Sequence, residues 1–430
     1  MAFYIIEKEE QLEKIRFKDC FVDFIQYNDF YHPKLSSISL VYIRDISHSK
    51  GYIICINHSE SFSIDYDKVC NWLLYNTNKL FVLNKKDVLY HFGHSEKIFD
   101  INFIENIDTS DVYTPCHEFY FRKYTERPDI NLLIPISKHY EKSEFIFSKI
   151  KHVIEKYNEN DDLYKYNNNI VTNLFYNIEK HGIRLDKDAF KKIYKDKINN
   201  PQYNILNGKI YTKYNLYTTT GRPSNSFNEI NFLALDKEKE RECYVPSNDV
   251  FVSIDIQGYH PRILGELTNF KFPDNENTYV YLSNILNISP KEAKEFTFKQ
   301  MYGGVWNIYK DKPFFSDILK FTNKIWEEYD KNQKYITKNR IFYKDINLTP
   351  PKLLNYVIQS KETTNNVDII NEILCYLKNK KTKLILYMYD EILLDFCKDD
   401  GKETIENIKR IIKYPTNIKY GSTYGTLNPI

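Results

Sequence analysis

The sequence lacks the features that mark disulfide-rich, thiolate-zinc and membrane-spanning proteins. Its seven cysteines are scattered and odd in number, and no two form a CxxC pair, which indicates a reducing compartment. No apolar run approaches the ~18 residues of a transmembrane helix, and the start MAFYIIEKEE has no basic-then-apolar signal pattern. Glycine supplies only 12 of 430 residues, so tight turns depend on Asn, Asp and Pro. We therefore expect a globular, cytoplasmic protein.

Charge gives only a local signal. The net charge is +2, which does not identify a nucleic-acid-binding protein. However, residues 179–222 contain ten Lys or Arg against four Asp or Glu, and residues 291–345 contain twelve against eight. Such stretches are either solvated faces or tracks for phosphate groups, and charge alone leaves both interpretations open.

The hydrophobic pattern predicts a mixed α/β chain. With 430 residues, 42% of them hydrophobic, the chain is long enough for two or three domains with their own cores. In the first 145 residues, β-rich runs at 37–44, 52–57 and 79–83 alternate with polar stretches. Helical patterns follow at 145–179, 289–303, 316–340 and 352–378, and strand patterns at 209–218, 250–256 and 383–397.

Two apolar strands lead to acidic residues. In LILYMYDEILLDF, Asp390 and Glu391 are predicted to lie at a turn, because a strand core would not bury both carboxylates unpaired. In VFVSIDI, Asp255 is the isolated acid near the strand end. If the two strand ends meet, a divalent cation that prefers hard oxygen ligands, such as Mg²⁺, would relieve the repulsion. The alternative is that both acids simply end strands at turns.

One helix carries a cation and two aromatic rings on a single face. Ser289 to Glu292 form a capping box, and Gly303 marks the end of the helix. Lys294, Phe298 and Tyr302 recur every four residues and so lie one above the other. This face suits a nucleoside triphosphate, with the lysine for phosphate and the rings for base and sugar. An amphipathic helix with an aromatic core stripe is the alternative.

These segments resemble the motifs of family A DNA polymerases, the DNA polymerase I class. AKEFTFKQMYG is similar to motif B (AKxxxFxxxYG), and TGRPSNSFNEIN, RECYVP, DIQGYHPR, NYVIQS, YDE and YGSTYGTL are similar to other segments of the family, in the same order. The matching residues are Thr220, Gly221, Arg222, Ser224, Asn228, Asn231, Arg241, Tyr244, Pro246, Asp255, Arg262, Ala293, Lys294, Phe298, Tyr302, Gly303, Asn355, Gln359, Asp390 and Glu391. The resemblance covers about residues 170–430.

The resemblance implies a right-hand polymerase of the α/β (α+β) class, with a palm sheet, helical fingers and a reduced thumb. The expected domains are a degenerate 3′–5′ exonuclease-like α/β domain at 1–145, linker helices and a vestigial thumb at 146–208, palm at 209–270, fingers at 271–380 and palm at 381–430. The reduced thumb follows from the short segment 187–208, where Lys191 and Lys192 are expected to grip phosphates. Weak, salt-sensitive DNA binding is the consequence.

The resemblance also implies the activity, a DNA-directed DNA polymerase that adds dNTPs to a primer 3′-OH on primer-template DNA with two Mg²⁺ ions. Asp255, Asp390 and the Ile256 carbonyl would hold the metals, and Glu391 would support them as a further catalytic residue. Lys294, Lys291 and Arg241 would bind the phosphates of the dNTP, and Phe298 and Tyr302 would form its pocket. The residues expected to contact DNA are Arg222, Asn228, Asn231, Asn355, Gln359 and Tyr389.

The sequence departs from the family at two site positions. The motif A glutamate that blocks a ribose 2′-OH is His260 here, which is still bulky and able to hydrogen-bond Tyr302. The motif C histidine is Tyr389. Because neither change removes a metal ligand, we expect DNA polymerase activity and selection against ribonucleotides to persist.

Two other functions compete with this interpretation. A single-subunit RNA polymerase would share much of motif B, but a small residue is expected where His260 stands. A catalytically inactive, DNA-binding replisome scaffold would not need to keep Asp255, Asp390, Lys294 and Tyr302 together.

The wealth of Lys, Asn, Ile and Tyr is typical of an A+T-rich genome, so we expect a virus, a phage or a similar replicon, with the host cytoplasm as location. The protein is expected to be a monomer helped by a processivity or replisome partner.

The sequence of the first 145 residues predicts that the protein lacks proofreading activity. An exonuclease of this family needs a DxE pair, and the best candidate, VDFIQ, has Asp23 followed by Ile25. The segment NKKD at 84–87 only loosely resembles the second exonuclease motif. An unrelated α/β domain is the alternative.

We therefore expect that a mismatched primer incubated with Mg²⁺ and no dNTP is not shortened, because paired carboxylates for a second metal site are missing. Gel analysis of 5′-labelled primers tests this, with the Asp390→Ala variant as the control for the polymerase site. Mg²⁺-dependent trimming that persists in that variant would contradict the prediction.

Overall fold

The computed structural model describes residues 3–26, 32–47, 50–58, 60–109, 135–195, 203, 205–225, 235, 239–273 and 276–429. The predicted DNA contacts Asn228 and Asn231 lie outside these residues. The chain forms two compact units: Met1–Lys180 with Asp196–Lys213 and Phe227–Glu229, and His181–Lys195 with Tyr214–Ser226 and Ile230–Ile430. None of the described helices is long and apolar enough to cross a membrane.

The first unit contains a six-stranded mixed sheet. Its strands are β1 (Tyr4–Ile6), β2 (Asp19–Gln26), β3 (Ile38–Asp45), β4 (Gly51–Cys55), β5 (Lys79–Val82) and β6 (Ile98–Asp100). The order is β1-β4-β3-β2-β5-β6, with β2, β3 and β4 antiparallel and the other pairs parallel. The three β-rich runs predicted in this region are confirmed as β3, β4 and β5.

Helices cover both faces of this sheet, because successive strand residues point to opposite sides. Cys20 and Val22 of β2 belong to one apolar core, whereas Phe21 between them contacts the Phe147 ring at 5.9 Å. The helices are α1 (Glu9–Leu12), α2 (Tyr66–Asn76), α3 (Lys85–Phe92), α4 (Ile101–Thr109), α5 (Ile136–Glu155), α6 (Asp162–Lys165), a π-helical segment (Tyr166–Val171) and α7 (Thr172–Glu179). The helical pattern predicted at 145–179 therefore begins earlier, at Ile136, and is interrupted after Glu155.

Short antiparallel pairs follow along the chain. They are β7 (Ile183–Leu185) with β12 (Tyr244–Val245), β8 (Ile205–Leu206) with β9 (Lys209–Ile210), and β10 (Tyr214–Asn215) with β11 (Ser224–Asn225). The strand pattern predicted at 209–218 thus corresponds to β9 and β10.

The second unit contains a five-stranded antiparallel sheet. Its strands are β13 (Val250–Ile256), β16 (Lys383–Met388), β17 (Glu391–Phe396), β18 (Thr416–Gly421) and β19 (Asn428–Pro429), in the order β16-β17-β13-β18-β19. The predicted strands at 250–256 and 383–397 are confirmed. The turn consists of Tyr389 and Asp390, so the prediction that Glu391 also lies in the turn is wrong. Strand β17 tolerates this acid because Ser253 donates a hydrogen bond to its carboxylate.

The second unit also contains helices. They are α8 (Lys187–Tyr194), α9 (Tyr259–Thr268), α10 (Thr278–Leu286), α11 (Pro290–Gly303), α12 (Pro313–Asn332), α13 (Pro350–Leu377) and α14 (Glu403–Ile412). The helices predicted at 289–303 and 352–378 are confirmed as α11 and α13. The prediction of a helix at 316–340 is wrong for its last part. Helix α12 ends at Asn332, because Gln333 adopts a left-handed φ of 55° and a hairpin follows. Its strands are β14 (Lys334–Ile336) and β15 (Ile341–Tyr343).

The loop between β14 and β15 fixes the TGR segment. The buried guanidinium of Arg340 donates hydrogen bonds to the carbonyl oxygens of Leu216 (2.6 Å) and Thr218 (3.0 Å). Gly221 has a φ of +75°, and a Cβ there would lie 2.4 Å from Asn339 Nδ2. The position therefore requires glycine both for its backbone conformation and for space.

We expect Gly221→Ala to lower the free energy of unfolding by about 2 kcal/mol, because backbone strain at positive φ adds to overpacking. Urea unfolding monitored by circular dichroism measures the change. Gly303→Ala is the matched control in the same unit, because a Cβ there meets no atom within 4 Å. Equal stabilities of the two variants would contradict the expectation.

Candidate active site

The register of the second sheet brings the predicted acids together. Asp255 lies opposite Glu391 in the β13–β17 pair. The Ile256 N–H donates a hydrogen bond of 2.9 Å to the Asp390 carbonyl oxygen at the neighbouring turn. The two acids that the sequence placed at strand ends thus share one end of the same sheet.

Burial and neighbouring carboxylates both affect the pKa of Asp390. Asp390 is an exposed residue, but its carboxyl is partly buried. This burial raises the pKa of Asp390 to about 6, and the charges of Asp255 and Glu362 raise it to a smaller extent. Asn417 donates a hydrogen bond of 3.3 Å to Asp255, and Ser253 donates one of 2.7 Å to Glu391. The carboxylate of Glu391 is thereby held by strand β13.

The donor chemistry at this sheet end fits a hard cation. Among the described residues, no group of three or more His, Cys, Asp or Glu side chains has metal-ligand geometry. Asp255 and Asp390 could supply two carboxylates to Mg²⁺, because that ion keeps several waters and binds through one or two carboxylates plus substrate phosphates. The mutual repulsion at Asp390 is the feature that a cation would relieve.

Helix α11 presents the predicted cation and rings on one face. Its start is fixed by a capping box between Ser289 and Glu292 and by proline at the first helical position. The rings of Phe298 and Tyr302 stack with centroids 5.6 Å apart. Lys294 on the same face is exposed, with its ammonium 5.8 Å from the centre of the Tyr279 ring.

Tyr279 connects this helix with the acids and was not identified from the sequence. Its ring lies 6.3 Å from that of Phe298. Burial, and then the charges of Asp390 and Asp255, raise the pKa of its hydroxyl. The only sequence signal is its place directly after the helix start at Asn277 and Thr278, which does not indicate a role in a site.

His260 lies between helix α11 and a buried acid. Its Nδ1 contacts the Tyr302 hydroxyl, as expected from the sequence, and its Nε2 lies 3.1 Å from Glu362 Oε2. Glu362 on helix α13 is fully buried. Glu362 was not identified from the sequence, although its spacing from Asn355 and Gln359 places all three on one face of the helix.

Arg222 is held by two partners. Its guanidinium stacks 3.5 Å from the centre of the Tyr389 ring, and its Nε forms an ion pair of 3.0 Å with Glu362. In the same segment, the Thr220 hydroxyl donates a hydrogen bond to Gln359 (3.0 Å). Gln359 in turn donates one to Asn355 (3.0 Å), so these predicted DNA contacts form one polar surface.

Other predicted site residues lie elsewhere in the same unit. Arg241 is buried, with its guanidinium 4.3 Å from the Tyr424 ring centre. Lys291 is exposed in the first turn of α11, and Lys191 and Lys192 are exposed on α8. The contacts that join Asp255, Asp390, His260, Arg222 and the α11 face therefore define the candidate active site without them.

Comparisons with known proteins support the fold. No family model matches the sequence, and no curated protein is similar to it in sequence. The fold is similar to that of the POL domain of Pol1 from M. smegmatis, whose structure is a complex with DNA primer-template and dNTP. The similarity has a TM-score of 0.65 and covers 95% of this chain and 96% of that chain, at 11% sequence identity. The predicted mixed α/β fold is thus confirmed, and it is similar to the fold of this POL domain.

Proposed function

We propose that this protein is a template-directed DNA polymerase that adds deoxynucleotides to a primer 3′-OH by a two-metal-ion mechanism. The observation that carries the proposal is the meeting of Asp255 and Asp390 at one sheet end, beside the α11 face, in a fold like that of a polymerase domain. The two strand patterns alone left open that the acids merely end strands at turns. Their proximity favours a shared chemical role.

Asp255, Asp390 and the Ile256 carbonyl oxygen would hold two Mg²⁺ ions. When bound, such ions stabilise the attacking and leaving oxygens of an in-line phosphoryl transfer. Glu391 would act from one side, because Ser253 holds its carboxylate at 2.7 Å. The chain itself supplies the negative charge that concentrates cations at the sheet end.

Helix α11 would bind the incoming nucleotide. The exposed ammonium of Lys294 would neutralise phosphate charge, with Lys291 one turn earlier as a second donor and Arg241 as a more distant one. Phe298 and Tyr302 present stacked ring faces for the base and sugar. His260 beside Tyr302 would occupy the volume that a ribose 2′-OH needs.

The primer-template duplex would be held mainly through its backbone and minor groove. The hydrogen-bonded set of Thr220, Gln359 and Asn355, together with Arg222 on Tyr389, offers donors that position DNA without reading its sequence. Asn228 and Asn231 would be further contacts to the DNA. Lys191 and Lys192 on α8 would add phosphate contacts from a shortened thumb, with a partner protein supplying processivity.

The sheet of the first unit is proposed to belong to an exonuclease-like domain without nuclease activity. Asp23 accepts a hydrogen bond of 2.8 Å from Ser143, and burial raises the pKa of its carboxyl. The next residue on the same face of β2 is Ile25, so the strand lacks the second acid of a DxE pair.

Asp255→Ala and Asp390→Ala are expected to lower the rate of primer extension on the order of a thousandfold or more, because charge stabilisation of the transferring phosphoryl group is lost. Folding and DNA binding should change little. Steady-state extension of a labelled primer with Mg²⁺ and dNTPs measures the rates. Asp399→Ala, which removes an exposed acid of the same unit, is the matched control.

Extension within tenfold of wild type for either site variant would contradict the metal assignment. Wild-type protein that binds primer-template but adds no nucleotide would support the scaffold alternative. Preference for NTPs over dNTPs would support an RNA polymerase.

His260→Ala is expected to raise incorporation of ribonucleotides relative to deoxynucleotides on the order of a hundredfold, since a few kcal/mol of steric exclusion are lost at about 1.4 kcal/mol per decade. Use of dNTPs should fall modestly, because Tyr302 loses its neighbour. The measurement is kcat/KM for a dNTP and the matching NTP on both proteins. An unchanged ratio would show that another residue selects the sugar.

A further inference from the structure

Glu362 is a buried carboxylate without a role in the function proposed above. It is fully buried in helix α13, and a charge in such a place is costly unless it is paired. Its Oε2 lies within ion-pairing distance of two nitrogens, Arg222 Nε at 3.0 Å and His260 Nε2 at 3.1 Å. A second guanidinium nitrogen of Arg222 lies 3.4 Å from Oε1. One carboxylate therefore joins two residues that belong to different segments of the candidate active site.

Helix α13 gives this carboxylate a rigid base. One turn further along, Asn366 accepts a hydrogen bond from the Tyr259 hydroxyl (2.9 Å) and donates to the Tyr389 carbonyl (2.8 Å) and to the Tyr387 hydroxyl (2.9 Å). These bonds tie α13 to helix α9, which carries His260, and to the turn that carries Asp390. Glu362 is thus fixed relative to both.

The contacts determine how the imidazole of His260 is oriented. The Glu362 carboxylate favours a proton on the Nε2 that lies 3.1 Å from it, because an ionised carboxylate attracts an N–H and repels a nitrogen lone pair. In the neutral ring, Nδ1 is then the acceptor for the Tyr302 hydroxyl. Both nitrogens are engaged, and rotation about the broad χ2 torsion would break both contacts.

We infer that Glu362 is the positioning residue of the sugar gate, holding His260 in the orientation that excludes a ribose 2′-OH. The inference rests on the proposed polymerase function. In the resembling family the gate is itself a glutamate, whereas here the carboxylate lies on α13 and acts through an imidazole. Because Arg222 shares the same carboxylate and stacks on Tyr389, Glu362 also links the gate to the primer side of the site.

The test compares two substitutions at this position. Glu362→Met keeps the length of the side chain and removes the acceptor, so the ratio of kcat/KM for dNTP to that for NTP should fall about tenfold. Glu362→Gln keeps a neutral acceptor of roughly half the strength, so the fall should be smaller, about threefold. Thr364→Val is the control, since this buried hydroxyl of the same helix bonds only the Lys361 carbonyl among its described contacts.

Combination with His260→Ala separates positioning from a general structural role. If Glu362 acts through the imidazole, Glu362→Met added to His260→Ala should leave the dNTP/NTP ratio where His260→Ala alone puts it. A merely structural residue would lower activity in both backgrounds and leave the ratio unchanged. Thermal unfolding of each variant accompanies the kinetics.

A dNTP/NTP ratio in Glu362→Met equal to that of active wild-type protein would overturn the inference while leaving the proposed function intact. If the Met variant does not fold, an unchanged ratio in Glu362→Gln overturns it in the same way. Wild-type protein that extends no primer would overturn both the proposed function and this inference.

Discussion

The hydrogen bond from the Ile256 N–H to the Asp390 carbonyl oxygen is the constraint on which the site depends. It closes the end of the β13–β17 pair, in which Asp255 lies opposite Glu391. The strand interiors are apolar, so a shift in register would place these acids in the core at a large cost. The same packing that stabilises the sheet therefore collects negative charge at one end, and burial, followed by the charges of Asp255 and Glu362, raises the pKa of Asp390.

Polar groups around this charge are paired through helix α13. Glu362, Gln359 and Asn366 each contact a partner from another segment, so these polar side chains connect the buried helix to the rest of the site. The pairing has a functional side. Arg222 and His260, which would contact primer and sugar, are oriented by the same buried carboxylate, so changes at one are expected to reach the other.

Local signals made part of this molecule predictable. The apolar runs before Asp255 and Asp390 and the capping box of α11 specify their elements with little help from the rest of the chain, and the fold class followed from the ordered motifs. Glu362, Tyr279 and Arg340 were missed because their partners are distant in sequence; Glu362 contacts residues 140 and 102 positions away. The end of α12 depends on a left-handed Gln333, a backbone choice that residue type does not specify.

Single-nucleotide addition by the wild-type protein tests the central claim most directly. Four primer-templates that differ only in the templating base are each offered the four dNTPs and four NTPs, one at a time, with Mg²⁺. On each template, the wild-type protein is expected to add the complementary dNTP in preference to the other dNTPs and to the matching NTP. Absence of addition, or addition that does not depend on the templating base, would contradict it.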